Sequence, residues 1–546
     1  MSRALAVLVL GCTSSDSVRL KHITPDLPSG SDSGSDTGRP SPDDTGVPPT
    51  SSLPDWLEGS DPVPCTAPAD GVVYEEVGEA MGLEGRRVAA LEHTESGSLA
   101  VADFDEDGDL DVVIGHNFEL AVMYVREGEG FVREDLPTRP HAMGMSVVDA
   151  NGDGHLDLAV AGMEPLILFR EGEGWRAEDL PLHEHHTLDS LTKALVPGDL
   201  DNDGDLDLYA VRSGAGAGFE NLDFVYINDG TGSYTVDMTQ VPETERYRRG
   251  FDAKWFDLDG DGWQEVFVIN ERFEPAEPSP GRDGSFLLRN DGGQLSRDDG
   301  SCLCELVLDG MGLDIEDING DGRPDIYLSA SMNNVLLQQL EDHSYVDVSL
   351  LMSANPLDGT LLTMSWGAAF LDFDNDGLRD LIVAEGDLWH ELSADPVVVD
   401  LPLDLMRLVE TETGRAYQDV SADYGFGVMG SWRSIAALDH NGDGLVDPII
   451  TDVEHRPLMY MSQGCTANGW LRVEAPIHSK IELTAGGRTQ TAWIDTHSSF
   501  AASTQPEFHF GLGATNTVTS LVVTLPTGEK LATTEAFEAR RKVKVK

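Results

Sequence analysis

Apolar residues in this chain come in short runs, not in helical stripes. DVVIG, DLAVA, DLYAV, EVFVI, DIYLS and DLIVA each hold a few consecutive apolar, often β-branched positions, which is the signature of a short buried strand. A polar turn precedes each run, and a second apolar run precedes that turn, as in SLAVADFD and GAAFLDFD. The repeating unit is therefore strand, polar loop, strand. Further strands lie between units, such as LILFREGEGW (166–175) and FVYINDGTGSYTVDMT (224–239), joined by Gly-rich hairpin turns. Successive polar loops start 46, 50, 58, 60, 55 and 67 residues apart. Periods of that size with several short strands predict propeller blades of about four strands. One repeat cannot bury both faces of its sheet, whereas a ring of repeats can. The expected fold is all-β: a β-propeller over residues 65–466, followed by a small β-domain over 467–546. Segments 271–285 and 391–412 read as inserted inter-strand loops.

The seven polar loops share one nine-residue pattern, and its chemistry is that of a hard-cation site. Asp stands at position 1, Asp or Asn at 3, Asp at 5, Gly at 6, and Asp or Glu at 9. Ca2+ takes six to eight oxygens at flexible geometry, and Gly permits the sharp bend. The side-chain ligands expected are Asp103, Asp105, Asp107 and Asp111; Asp149, Asn151, Asp153 and Asp157; Asp199, Asp201, Asp203 and Asp207; Asp257, Asp259, Asp261 and Glu265; Asp317, Asn319, Asp321 and Asp325; Asp372, Asp374, Asp376 and Asp380; and Asp439, Asn441, Asp443 and Asp447. Position 7 contributes its carbonyl, from Asp109, His155, Asp205, Trp263, Arg323, Leu378 and Leu445 respectively. An EF-hand would need Glu at position 12. Ile114, Val160, Ala210, Val268, Leu328, Val383 and Ile450 stand there, so that reading fails in every copy. Up to seven Ca2+ are expected.

Charge supports this reading. The formal net charge is −61 over 546 residues, and the four side-chain positions of the seven loops hold 25 acids and three Asn. Without cations these clusters repel one another. So acidic a chain argues against nucleic acid, which needs basic patches.

Residues 1–12, MSRALAVLVLGC, carry Arg3, an apolar stretch and Gly11-Cys12. They resemble a bacterial lipoprotein signal in which cleavage leaves Cys12 lipidated. Residues 13–64 are rich in Ser, Asp, Gly, Pro and Thr and read as a disordered tether. The expectation is an exported lipoprotein of the outer membrane or cell surface that meets the membrane through its N-terminal lipid only. It is expected to be monomeric.

The loops and their flanking strands resemble the FG-GAP/VCBS repeats of integrin alpha-chain propellers and many bacterial surface proteins, over about residues 72–465. That resemblance implies a seven-bladed propeller with calcium in the loops. Residues 468–546 resemble the ASPIC/UnbV domain of cartilage acidic protein-like chains, through Trp470-Leu471, Phe510-Gly511-Leu512-Gly513 and Pro526-Thr527-Gly528. The Asn-Arg common near the start of that domain is absent, with APIHSKIEL in its place, and Leu525 stands where Trp is usual.

Other groups carry weaker signals. His183, Glu184, His185 and His186 offer a transition-metal cluster or a polar loop. His116, His141, His390 and His440 sit beside repeat positions and could face the ring. Arg246, Tyr247, Arg248 and Arg249 could receive a carboxylate or an acidic sugar, or form a solvated loop. For Cys302 and Cys304 a disulfide, separate thiols and a soft-metal pair all stay open. No GxSxG, HExxH or phosphate-binding Gly loop is present.

Ring closure gives a sharper expectation. After the seventh loop only about three strands remain, and Val72–Val77 offers the fourth. Cys65 lies just before that strand and Cys465 just after PLMYMSQ. Adjacent strands sit about 4.8 Å apart, within reach of a disulfide, so a Cys65–Cys465 bond is expected, as suits an exported protein. The functional expectation is a non-enzymatic calcium-binding surface protein that takes a protein or glycan ligand. The alternative is a carbohydrate lyase or dehydratase with a site in the central channel.

Overall fold

The computed structural model describes residues 53–65, 74–84, 97–115, 119–183, 190–214, 222–243, 245, 249–270, 284–298, 303, 306, 308–331, 333–355, 364–386, 400–412, 414–453 and 456–546. Cys12, His116, Glu184, His185, His186, Arg246, Tyr247, Arg248, Cys302, Cys304 and His390 lie outside these residues.

Among the described residues, seven sheets built on four antiparallel strands follow one another, the first and sixth carrying further strands. Their innermost strands are Leu99–Ala102, Gly144–Val148, Ser190–Gly198, Gly250–Phe256, Gly310–Glu316, Met364–Leu371 and Trp432–Leu438. The inner strands of sheets two, four, five and six are buried along their whole length. Outer strands face water: Gly174–Asp179 is mostly exposed. This gradient explains why inner strands read as continuous apolar runs and outer ones as mixed.

Neighbouring sheets pack face to face, and each pair shares a buried apolar layer. Val113 and Met123 of the first meet Val147 and Leu168 of the second. Ile382 and Leu405 of the sixth meet Ile435 and Tyr460 of the seventh. Ala436 and Ile449 of the seventh meet Val101 and Val112 of the first. At about 1.5–3 kcal/mol per fully buried aliphatic side chain, these layers are the main force holding the ring-like, propeller-type arrangement together.

The fourth strand of the seventh sheet comes from the other end of the chain. Tyr74–Glu76 pairs antiparallel with Leu458–Ser462, with Tyr74 opposite Ser462. Cys65 and Cys465 are disulfide-bonded beside this junction, with Cα atoms 5.8 Å apart.

The C-terminal unit is a sandwich of two sheets around Leu471, Val473, Ile481, Leu483, Phe510, Leu521 and Val523. Its Lys480–Ala485 strand alternates half-buried and buried positions, the pattern of a one-faced sheet. The expected tether to residue 64 ends earlier than its composition suggests. Leu57–Gly59 adds a strand to the edge of this sandwich, pairing with Val543–Val545, and Leu57 is buried.

One hairpin leaves the sandwich and enters the ring. His497–Ser499 and Ala502–Thr504 form it, and Ala502–Thr504 pairs parallel with Leu99–Val101 on the inner edge of the first sheet. Phe500 at its tip stacks on Phe251 at 5.4 Å and meets Trp366 at 5.3 Å. Gly312 and Gly367 make room: a Cβ on Gly312 would meet Phe500 at 3.0 Å, and one on Gly367 would meet Ser499 Oγ at 2.7 Å.

Candidate functional site

Each polar loop bridges the first and second strands of a sheet, and a constant set of backbone N–H donors orients its carboxylates. The position 1 Asp accepts the N–H of the position 6 Gly in all seven loops, at 3.0 Å for Asp103–Gly108, 2.9 Å for Asp149–Gly154, 3.1 Å for Asp199–Gly204 and Asp257–Gly262, 2.8 Å for Asp317–Gly322 and Asp372–Gly377, and 2.9 Å for Asp439–Gly444. The position 5 carboxylate accepts the N–H of position 7 in every loop, as in His155 to Asp153 at 2.9 Å and Leu445 to Asp443 at 2.9 Å. Such bonds fix the oxygens without using all their lone pairs.

Position 9 does more than the pattern announced. Asp111, Asp157, Asp207, Glu265, Asp325, Asp380 and Asp447 open the second strand and are buried. Each accepts the N–H of loop position 2, as in Ala150 to Asp157 at 3.0 Å and Leu258 to Glu265 at 2.9 Å. In six loops the other oxygen accepts an N–H from the third strand, as in Arg126 to Asp111 at 2.9 Å and Ser462 to Asp447 at 2.6 Å. This carboxylate ties the loop to the sheet whether or not it also holds a cation.

Position 4 carries a second requirement. Glu106, Gly152, Asn202, Gly260, Gly320, Asn375 and Gly442 all have positive φ, between 58° and 80°. Gly meets this freely and Asn tolerates it. The two asparagines then reach the next loop: Asn202 donates to Gly262 O at 3.2 Å and Asn375 to Gly444 O at 2.7 Å.

The residues fit a divalent cation. Among the described residues, Asp103, Asp105 and Asp107 bring ligand oxygens within 4.8 Å of one another; so do Asp199, Asp201 and Asp203; Asp257, Asp259 and Glu265; and Asp372, Asp374 and Asp380. Asp103 Oδ1, Asp259 Oδ1, Asn319 Oδ1 and Asp439 Oδ1 are buried without a hydrogen-bond partner, a costly state that a cation relieves. Burial, with neighbouring carboxylates adding to it, pushes Asp111, Asp157 and Asp207 up to about 7 and Glu265 and Asp325 up to about 8. Without a counter-charge the loops resist full ionisation. Guanidiniums supply part of one: Arg289 reaches Asp259 at 2.6 Å and Arg407 reaches Asp374 at 2.5 Å.

The loops are not equivalent, because the C-terminal sandwich sits on some of them. Arg472 bonds Asp439 at 3.1 Å and Glu507 at 2.5 Å. Trp470 lies where a Cβ on Gly444 would stand, 1.9 Å away, and Gly511 presses on Asp372 and Asn375. His509 meets Asn375 Oδ1 at 2.6 Å, Asn468 donates to Asp374 O at 2.9 Å, and Asp103 N–H donates to Gln505 at 3.2 Å. Loops one, six and seven thus touch the sandwich directly.

The histidines fall differently from expectation. His440 is position 2 of the seventh loop, buried, and pushed down to about 3 by burial and then by Arg126 and Arg472; its carbonyl accepts from Arg126 at 3.1 Å. His141 adopts φ 73° in the connection between the first two sheets. His183 packs edge-on against Phe224 at 5.2 Å. His497, on the hairpin that enters the ring, pairs with Asp252 at 2.6 Å. Beside it Lys254 is buried against Asp314 at 2.9 Å and Asp495 at 3.4 Å, and also donates to His497 O at 2.9 Å. None of these three charged partners carried a sequence signal, because each lies in an ordinary strand or turn.

Family comparison agrees with this anatomy. The FG-GAP-like repeat model matches residues 103–160, 199–268 and 317–383, each spanning two loops, and the ASPIC and UnbV model matches 474–546. The chain carries FG-GAP-like repeats and an ASPIC and UnbV domain. Comparison with curated proteins finds no match. Among solved structures, it is similar to a lectin of Agrocybe aegerita described as recognising non-reducing terminal N-acetylglucosamine, at 14% identity and TM-score 0.39, over 73% of this chain and 100% of that one. It is also similar to BBS1N in complex with ARL6DN, at 11% identity and TM-score 0.40, over 69% and 94%. The FG-GAP-like repeats account for the first six loops; the seventh has the same geometry outside the matched residues.

Proposed function

We propose that this protein is a calcium-binding cell-surface protein whose FG-GAP-like repeats present a protein- or glycan-binding face, without catalysing a reaction. The observation that carries the metal part is the sevenfold recurrence of the same oriented carboxylates, together with the orphaned buried oxygens. Residues at positions 1, 3, 5 and 9 and the position 7 carbonyl would hold each ion. The ions would neutralise the loops and stiffen the face that carries them. The hairpin 497–504 lies against the inner strands, where a channel enzyme would need its open site, and this favours binding over catalysis. Surface attachment through a lipidated Cys12 belongs to the same proposal. Metal analysis after gel filtration tests the first part: several calcium ions per chain, up to seven, are expected, and a metal-free protein with an unchanged melting curve in chelator would sink it. Pull-down from the native surface with and without chelator tests the second.

A further inference from the structure

A cleft of about 550 Å3 separates the loops of the fourth and fifth sheets from the ASPIC and UnbV domain. Its propeller wall includes Asp259–Gly262 and Gly322–Pro324; its opposite wall is the outer face of the Lys480–Ala485 and Arg488–Trp493 strands. Cross-strand register sets Lys480 opposite Trp493. Trp493 is half-buried, and the Lys480 ammonium stands 5.8 Å from its ring centre. Lys480 and Glu482 form no ion pair among the described residues. Gln264 and Gln339 also line the cleft, and each keeps a buried side-chain carbonyl oxygen without a partner.

The volume lies in the range of about 300–1,000 Å3 typical of small-ligand sites. The lining then selects the ligand class. Both charge signs alternate along the walls, so a polyphosphate or nucleic acid finds no continuous cationic track. The apolar residues of the cleft's propeller wall, among them Trp255, Phe256, Leu258 and Phe370, are buried, while Trp493, Phe508 and Leu525 of the sandwich are half-buried. On the sandwich side Trp493 offers a half-buried aromatic face, Lys480 donors and Glu482 acceptors that no ion pair occupies. A sugar matches that set, because each hydroxyl both donates and accepts and each pyranose has one face of C–H groups to lay on an indole.

We propose that this cleft binds the end of an oligosaccharide, with a sugar ring on Trp493 and its hydroxyls bonded by Lys480 and Glu482. The site rests on the ligand-binding reading above and narrows it to glycans. Both the propeller and the ASPIC and UnbV domain contribute a wall, so neither alone completes it.

The test uses the calcium-loaded full chain and three probes: trisaccharides of chitin, xylan and alginate. Titration should show one of them binding, with Trp493→Ala weakening it at least about tenfold and leaving the melting temperature in place. Trp493→Phe, which keeps an aromatic face, should retain most of the affinity. A diazirine-bearing copy of the bound sugar should crosslink to the peptide holding Lys480 or Trp493, which decides the matter even where Trp493→Ala folds poorly. Equal affinity of Trp493→Ala, or crosslinks elsewhere, would overturn this cleft while leaving a glycan-binding surface protein intact. No binding of any probe would overturn the cleft and leave a protein as the ligand of the surface face.

Discussion

Replacing Gly511 with Ala should separate the two domains without damaging either alone. Gly511 has no positive φ, so Ala suits its own strand. The added methyl would stand 1.9 Å from Asp372 Oδ2 and 2.6 Å from Asn375 Cα, against an ordinary contact of about 3.4 Å or more. The neighbours cannot yield cheaply. Asp372 is buried and accepts N–H bonds from Gly377 at 2.8 Å and Asp376 at 3.0 Å; Asn375 is held by Gly444 O and His509. Overpacking a core by one methyl costs about 1–3 kcal/mol, and a clash with backbone belongs at the upper end. Taking about 3 kcal/mol and about 2–4 °C per kcal/mol for a large domain gives a fall in melting temperature of roughly 6–12 °C. The domain can avoid that cost only by tilting away, which withdraws Phe500 from Phe251 and Trp366. Calorimetry and amide exchange therefore read the same event: Gly511→Ala should melt early and lose protection over residues 497–504. Gly427→Ala serves as control, since its added methyl meets only Ala422, no nearer than 3.9 Å. If Gly511→Ala melts with the wild type and keeps the hairpin protected, the docking described above is wrong.

Chelation should lower the melting temperature by roughly ten degrees or more, because bound ions stabilise only the folded loops; an unchanged calorimetric trace in excess chelator would count against metal in the loops. Arg472→Met should cost about 3–5 kcal/mol in denaturant unfolding, because it removes one partner of a buried ion network and leaves Glu507 with Lys542 at 3.0 Å; an unchanged unfolding midpoint would contradict this. His497 should make hairpin docking pH-dependent. Burial and, less strongly, Lys254 oppose its charge, but Asp252 and Asp495 together raise its pKa above the ordinary imidazole value. A raised folded pKa gives stability that is full below about 6.5 and fades as pH rises through the folded value, so protection over 497–504, measured relative to the intrinsic exchange rate at each pH, should fall from pH 6 to pH 9, and His497→Gln should abolish that fall.

The loops were legible because each position has its own job. Asp at 1 and 5 and Gly at 6 follow from metal chemistry and a tight turn, and the structure adds the same N–H bonds in every copy. The closing strand was legible from a count of strands around the seventh loop, and Tyr74–Glu76 occupies that edge. The hairpin was not legible. HSSFAAST has no periodicity, turn signal or charge that marks it as a segment leaving its own domain. Its small residues and single Phe make sense only beside Gly312, Gly367 and Phe251, which come from distant repeats. The cleft was hidden for the same reason: Trp493 and Gln264 are unremarkable until two domains bring them together. The end of the linker was misread because LPDWLEG supplies only a few apolar residues, too few to signal a strand on a foreign sheet.

The pairing of Leu57–Gly59 with Val543–Val545, and the bond from Lys546 N–H to Trp56 O at 3.1 Å, place the first and last described segments side by side. A ribosome delivers these segments far apart in time, with the whole propeller-type unit made between them. Until Arg541–Val545 emerges, the edge of Gly469–Glu474 that takes it and residues 57–59 wait unpaired, and the inner edge of the first sheet waits for Ala502–Thr504. Contacts at such separation make folding slow, and open strand edges invite association with other chains. A chain shortened by even its final six residues, Arg541 to Lys546, would thus retain every polar loop yet be trapped as a sticky intermediate.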